Sequence, residues 1–137
     1  MEYKTTELTI TIRPDTIIEI KVREDLVDGF TMEGAKESIA LIEKIIDNDP
    51  RCVLVWMPDI YMKKDIIKHY NDFEQENVTT ALITKSFASK IVGNLFLTLR
   101  TRFLSKNKIK TNPVKLFTAK EEAITWLLEV MATKHKV

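Results

Sequence analysis

The sequence has few of the residues that mark several classes of protein. Its 137 residues include one cysteine, three glycines, four prolines and two histidines. The lone Cys52 has no internal disulfide partner, which excludes the disulfide scaffold of a small secreted protein. Low glycine and proline exclude collagen-like and linker-dominated chains. No apolar run approaches the roughly 20 residues that cross a membrane, and the first residues do not resemble a signal peptide.

The remaining composition indicates one cytoplasmic, globular domain over residues 1–137. It is 45% hydrophobic and 30% charged, which is typical of a domain with an apolar core and a polar surface. A chain of this length buries roughly two-thirds of its unfolded surface, so we expect stability without a metal or a disulfide. Loose ends are expected at about residues 1–6 and 133–137.

Hydrophobic alternation predicts a β-hairpin near the start of the chain. Residues 7–13 and 16–22 alternate between apolar, mostly β-branched side chains and polar ones. Pro14 and Asp15 between them favour a turn, because proline presets φ and aspartate can bond its own backbone.

After the hairpin, the hydrophobic period changes from two residues to about 3.6. Helices are predicted over about 31–49, 61–75, 86–104 and from 119 onward, with strands over 52–56, 78–84 and 114–117. The order ββαβαβαβα predicts an α/β fold with one mixed sheet, in which parallel strands follow the antiparallel hairpin, and about four helices. The strand from Cys52 to Trp56 is apolar on both faces, so we expect helices on each side and Cys52 in the core.

The formal net charge of +1 conceals two halves of opposite sign. Residues 1–76 contain 17 acidic and 10 basic side chains, giving −7, whereas residues 77–137 contain 3 and 11, giving +8. A basic face that includes Arg100 would steer an acidic partner. Ordinary solvated charge and complementation of a helix dipole explain the same residues and are the favoured interpretation. Nucleic acid is not an expected partner, because no binding module is recognisable.

The predicted helix over 86–104 is apolar around more of its surface than an ordinary surface helix. An arc of about half of its circumference, only part of which is explained by packing on the sheet, contains Phe87, Ala88, Ile91, Val92, Leu95, Phe96, Leu99 and Phe103. Leu97 and Leu104 lie outside that arc. The excess apolar surface would lie under the 105–113 loop, line an apolar pocket or meet another subunit, and self-association as a homodimer is preferred.

No catalytic residue, metal site or cofactor is expected. His69 and His135 are the two histidines, and no His/Cys cluster has the spacing of metal ligands. The three glycines form no phosphate-binding loop, and no nucleophile elbow is present.

Ligands of parallel sheets tend to bind beyond the carboxyl ends of the strands. This position makes Pro58, Asp59, Tyr61 and Ser86 candidate binding residues, although helix capping explains Asp59 and Ser86 better than catalysis does. Tyr61 has no evident structural role and is interpreted as a packing residue at the rim or a ligand contact.

Two sequence blocks carry a family resemblance: Thr31–Ser38, and Ile91–Leu97 continuing through Pro113–Thr118 to Glu121–Leu127. Together with the element order, they resemble the STAS-like (SpoIIAA-like) domains, within an uncharacterised bacterial branch. The resemblance implies the α/β fold and action by binding protein partners or small ligands. Antagonists of anti-sigma factors in that family carry a phosphorylatable serine after a central strand. The matching residues 57–62 contain no serine or threonine, so no kinase-driven switch is expected there.

Two functions are therefore expected. The first is a non-enzymatic STAS-like interaction module that dimerises or docks a partner through Leu97, Arg100, Leu104 and the strand-end residues. The second is carriage of a small apolar ligand or lipid between the 86–104 helix and the sheet. The similar sheet of the CRAL-TRIO lipid-transfer proteins keeps this second function open.

Overall fold

The structure of the protein, a computed structural model, describes residues 2–26, 29–46, 51–60, 62–72, 78–107 and 113–134. Within these ranges the elements are β1 (Glu2–Lys4), β2 (Leu8–Ile12), β3 (Ile18–Val22), α1 (Met32–Ile46), β4 (Arg51–Trp56), α2 (Lys64–Asp72), β5 (Val78–Ile83), α3 (Phe87–Asn107), β6 (Val114–Phe117) and α4 (Lys120–Lys134). From β2 onward this is the predicted ββαβαβαβα order.

The described strands form one six-stranded sheet in the order β1-β2-β3-β4-β5-β6. The pairs β1–β2 and β2–β3 are antiparallel, whereas β3–β4, β4–β5 and β5–β6 are parallel. The predicted mixed sheet, with an antiparallel hairpin followed by parallel strands, is confirmed.

Regular elements lie close to both ends of the described part of the chain. Glu2–Lys4 form β1, in which Tyr3 pairs with Ile10 of β2. A three-residue strand is too short to give a readable alternation, and the open edge of β2 supplies its pairing. At the other end, α4 continues to Lys134, and residues 135–137 lie outside the described part of the chain.

The sequential strand order brings three helices to one face of the sheet. Each crossover from β3 to β6 moves one strand in the same direction, and crossovers of one hand place successive helices on the same side. On that side α2 packs between α1 and α3. Ala35 of α1, Ile66 of α2 and Val92 of α3 join in one buried cluster.

The fourth helix covers the opposite face. Ala123 and Leu127 of α4 are fully buried in a cluster with Leu54 and Ala81 of the sheet. Cys52 lies in the same cluster, and its thiol donates a hydrogen bond to the Leu127 carbonyl at 3.6 Å. The predictions that β4 is covered on both sides and that Cys52 is a core residue are confirmed.

Hydroxyl side chains cap α1 and α3 at their first turns. Thr31 Oγ1 accepts the backbone N–H of Gly34 at 3.0 Å. Ser86 Oγ accepts the backbone N–H of Ser89 at 3.0 Å, and Ser89 Oγ accepts the backbone N–H of Ser86 at 2.9 Å. This reciprocal pair is the arrangement of a capping box, so Ser86 is the N-cap residue of α3.

The helix α2 begins later than the predicted range of 61–75. It begins at Lys64 and ends at Asp72, and the Lys63 carbonyl accepts the N–H groups of Ile66 and Ile67. Met62 is buried before the helix begins. Residues 61 and 73–75 lie outside the described ranges.

Candidate functional site

The described residues line an apolar, partly open cavity of about 140 Å³ between the sheet and the helices α1–α3. Apolar cavities of about this size stay dry and accept molecules as large as benzene. Its lining residues are Leu8, Ile20, Val22, Phe30, Ile42, Val53, Val55, Trp56, Met57, Pro58, Met62, Tyr70, Val78, Thr80, Leu82, Val92, Phe96, Arg100 and Val114.

Strand alternation makes the sheet wall of the cavity apolar. Val53 and Val55 of β4 lie on the cavity side, whereas Cys52 and Leu54 lie on the α4 side. Leu82 continues the apolar wall on β5. The sequence of β4 is apolar on both faces because one face meets α4 and the other meets this cavity.

The helix α3 approaches the sheet closely at Gly93. A Cβ atom there would lie 3.0 Å from Leu116 Cδ1 and 3.1 Å from Thr84 Cγ2, so a larger residue would push the helix outward. Phe96 and Arg100 follow one and two turns later, and both line the cavity. Gly93 therefore lets α3 pack close to the carboxyl end of the sheet. Farther along the helix, the larger side chains of Phe96 and Arg100 border the cavity.

Arg100 brings a permanent positive charge to the cavity wall. The residue is only 8% exposed, and its guanidinium carries a delocalised positive charge. Arg100, predicted to lie on a basic outer face or to complement the helix dipole, is buried at the cavity wall. Val92, Phe96 and Arg100 are each four residues apart, so the helical period turns all three toward the cavity.

Tyr70 connects the cavity wall to a buried carboxylate. Its hydroxyl donates to Glu7 Oε1 at 3.2 Å. Glu7 is 1% exposed, and its Oε2 accepts the backbone N–H of Thr31 at 2.6 Å. Burial, together with the nearby carboxylate, raises the pKa of Tyr70 well above its usual value, so the phenol keeps its proton at neutral pH.

The Glu7 carboxylate requires the glycine at position 34. A Cβ atom at Gly34 would collide with the Cδ and Oε2 atoms of Glu7. Because Glu7 also accepts the N–H of Thr31, this carboxylate fastens the N-terminal hairpin to the start of α1. Within the Thr31–Ser38 block, the close packing against Glu7 therefore explains why residue 34 is a glycine.

A second polar group lies around Trp56, on the α4 face of the sheet. Trp56 Nε1–H donates to Glu19 Oε2 at 2.7 Å, and the same oxygen lies 3.5 Å from Lys120 Nζ. The ammonium groups of Lys21, Lys85 and Lys120 lie 5.3, 5.8 and 5.8 Å from the centroid of the Trp56 ring. This group, the Trp56 cluster, occupies the carboxyl ends of the parallel strands.

Comparisons with known proteins identify a family without an assigned role. A family model described as a domain of unknown function (DUF7793) matches residues 10–131. The chain belongs to this family. The DUF7793 match includes the Trp56 cluster and every residue of the cavity lining except Leu8, whereas Glu7 precedes it.

Two further comparisons add little to the family assignment. No curated protein matches this DUF7793 chain. Among solved structures, the chain is 20% identical to a protein of unknown function from Arthrobacter sp. FB24, with 87% of this chain and 97% of that chain covered. The TM-score of 0.29 is too low for this likeness to support an argument.

The strand-end residues predicted as binding candidates have different environments in the structure. Pro58 is buried and lines the cavity, whereas Asp59 is exposed and does not line it. Ser86 caps α3 and is exposed. Tyr61 lies outside the described residues, so its role stays a prediction.

The apolar arc of α3 is not covered at its first turns. Phe87 is 80% exposed, Ile91 is 53% exposed and Ala88 is also exposed. Leu97, expected at an exposed contact surface, is half-buried. The helical period gives the angles between these residues, but the position of the neighbouring layer decides which of them is covered. The side chain of Leu104 lies outside the described part.

The role of Glu7 as a buried hydrogen-bond acceptor next to the cavity wall was not predicted from the sequence. A single carboxylate before an alternating strand does not indicate its distant partners. Here they are Thr31, 24 residues later at the start of α1, and Tyr70, 63 residues later in α2. Tyr70 had a usable signal, because it belongs to the apolar stripe of the predicted second helix. In the described ranges, no helix is long and apolar enough to cross a membrane, and no three His, Cys, Asp or Glu side chains are grouped to hold a metal.

Proposed function

We propose that this protein is a non-enzymatic module that binds a small, mainly apolar molecule carrying one acidic group. The observation that supports this proposal is the cavity of about 140 Å³, walled by aliphatic and aromatic side chains and bordered by a buried arginine. Ligand sites combine a predominantly apolar lining with a few polar groups that fix orientation, and this cavity has that combination.

The acidic group of the ligand would pair with Arg100. A guanidinium offers five N–H donors, so Arg100 can keep its contacts within the protein and still bind a carboxylate. Hydrogen bonds between a guanidinium and a carboxylate are short and strong, particularly in an apolar environment. The apolar body of the ligand would contact Val55, Leu82 and Phe96.

Binding without catalysis is the proposal because the polar groups of the wall have structural partners. The Tyr70 hydroxyl donates to Glu7, and Glu7 also accepts the N–H of Thr31. The resemblance to STAS-like domains, which bind partners or small ligands, agrees with this proposal and stays a prediction.

The first experiment uses 4-fluorobenzoate, a benzene-sized carboxylate, followed by ¹⁹F NMR. We expect saturable binding to the unmodified protein. Val55→Phe places a larger side chain in the cavity and should weaken binding at least about tenfold, the equivalent of 1.4 kcal/mol. Arg100→Gln should weaken the binding of 4-fluorobenzoate by a similar factor. It should leave the binding of fluorobenzene unchanged, because this neutral probe makes no ion pair.

Two controls make the result decisive. Val130→Phe makes the same substitution at a half-buried position of α4 that does not line the cavity, and it should bind both probes normally. Val92→Leu is a milder change in the cavity for use if Val55→Phe does not fold. Absence of a saturable signal for both probes with the unmodified protein would refute the proposal.

A second candidate function, self-association with another copy of the chain, is favoured by α3. Phe87 and Ile91 are four residues apart, so they share one exposed face of the helix. Burying such a side chain is worth about 1.5–3 kcal/mol. The proposed contact therefore lies at the first turns of α3, nearer its start than the Leu97 and Leu104 positions.

Light scattering after size-exclusion chromatography tests the association. We expect a dimer mass for the unmodified protein and the mass of a folded monomer for Phe87→Ser/Ile91→Ser, because both side chains are exposed in the isolated chain. Leu128→Ser, which alters an exposed leucine of α4, should leave the dimer intact. A monomer mass for the unmodified protein would rule out self-association.

A further inference from the structure

The Trp56 cluster has more positive charge than its own residues neutralise. Glu19 Oε2 lies 3.5 Å from Lys120 Nζ and 3.9 Å from Lys21 Nζ, and it also accepts the Trp56 N–H. Lys85 adds a third ammonium group near the same ring. Three lysines and one carboxylate leave a formal charge of two positive units around one side chain.

Gathering like charges around one ring causes mutual repulsion, which a bound anion would relieve. An ammonium over the face of an indole gains about 0.5–1 kcal/mol at an exposed site, which is comparable to the repulsion between neighbouring cations. Lys21 and Lys85 are exposed, so their side chains can turn toward a ligand with little rearrangement. A dianion would interact favourably with all three ammonium groups.

The fold brings these lysines together from distant segments. Lys21 lies in β3, Lys85 follows β5, and Lys120 is the first residue of α4. They meet at the carboxyl ends of the parallel strands, where ligands of open α/β sheets bind. Phe117 extends the aromatic surface at the end of β6, and Lys115 Nζ lies 5.3 Å from its ring centroid.

We infer that the Trp56 cluster is a binding site for a phosphate monoester on a small molecule. A phosphate monoester is largely dianionic at neutral pH and offers three acceptor oxygens, which match the two uncompensated charges and the three ammonium groups. Trp56 supplies an apolar ring beside the phosphate, and Glu19 keeps that ring in place through the indole N–H. Trp56 also borders the cavity, but Glu19 and the three lysines do not line it, so the inference does not depend on the proposed cavity ligand.

Fluorescence of Trp56 tests the inference directly. In the Trp126→Phe variant Trp56 is the remaining tryptophan, because the chain has two. We expect glycerol 3-phosphate to change its emission saturably, whereas glycerol and sodium chloride at equal ionic strength do not. Lys85→Gln/Lys120→Gln in this background should weaken binding at least about tenfold, because two charge-assisted contacts are lost.

Matched controls separate a site from general screening. Lys44→Gln removes an exposed lysine from α1, on the opposite face, and should change the affinity less than twofold. An equal response to sodium chloride, or an unchanged affinity in the double lysine variant, would overturn the inference. Because 4-fluorobenzoate should bind that variant normally, failure at the Trp56 cluster is distinguishable from failure at the cavity.

Discussion

The two faces of the sheet are covered in different ways, although both are built mainly of aliphatic side chains. On one face a single helix, α4, packs directly on the strands, and Ala81 and Ala123 are completely buried there. On the other face three helices cover the sheet and leave a cavity of about 140 Å³ beneath α3. Small residues let a helix pack directly on a sheet, whereas Phe96 and Arg100 border a space between the layers.

The difference also concerns polar groups. The three-helix face includes a buried arginine and the Glu7–Tyr70 hydrogen bond, while the α4 side has an exposed basic and aromatic group at its edge. The first arrangement suits a ligand enclosed within the fold, and the second suits an anion approaching from solvent. One sheet thus presents two chemically distinct candidate sites.

The largest expected effect comes from shortening a leucine on each face. Leu54 is 0% exposed on the α4 side, and Leu82 is 1% exposed at the cavity wall. We expect Leu54→Ala to lower the free energy of unfolding by about 3–5 kcal/mol and Leu82→Ala by about 2–3 kcal/mol, within the range of buried leucine truncations. Leu82 borders empty space and has fewer contacts to lose. Urea denaturation measures both values, and equal losses would contradict the comparison.

A smaller effect is expected where the hairpin meets the three-helix face. Gly34→Ala should lower the free energy of unfolding by about 1–3 kcal/mol, because the new Cβ collides with the Glu7 carboxylate. In a Glu7→Ala background the collision disappears, and the same change should stabilise the protein by up to about 1 kcal/mol through helix propensity.

Four proteins measured by urea denaturation complete this double-mutant cycle. Glu7→Ala alone should be destabilising, because the Thr31 N–H and the Tyr70 hydroxyl lose their acceptor in a buried environment. Additive effects of Gly34→Ala and Glu7→Ala would show that the carboxylate does not restrict position 34.

Most of the fold was predictable because its signals are local. The alternation in β2 and β3, the turn at Pro14 and the hydroxyl of Ser86 each depend on residues close in the chain. The element order then predicted parallel strands and crossover helices. The short β1 had no such signal, because its pairing comes entirely from its neighbour.

The candidate sites were only partly predictable, because their residues come together through tertiary packing. Pro58 was identified from its place at a strand end, and it lines the cavity. Arg100 was identified as a binding residue, but on an outer surface instead of a buried wall. Lys21 belongs to the acidic half of the sequence, so the charge division concealed its place beside Lys85 and Lys120.

The amino-acid sequence by itself determined the strands, the helices and their order, because hydrophobic period and capping act over a few residues. Only the tertiary structure decided which side of α3 is covered, where a cavity remains and which charges meet at Trp56. Those outcomes depend on distances between layers and on the seating of a helix at Gly93. A helical period gives the angles between side chains, but the neighbouring elements decide what each side chain contacts.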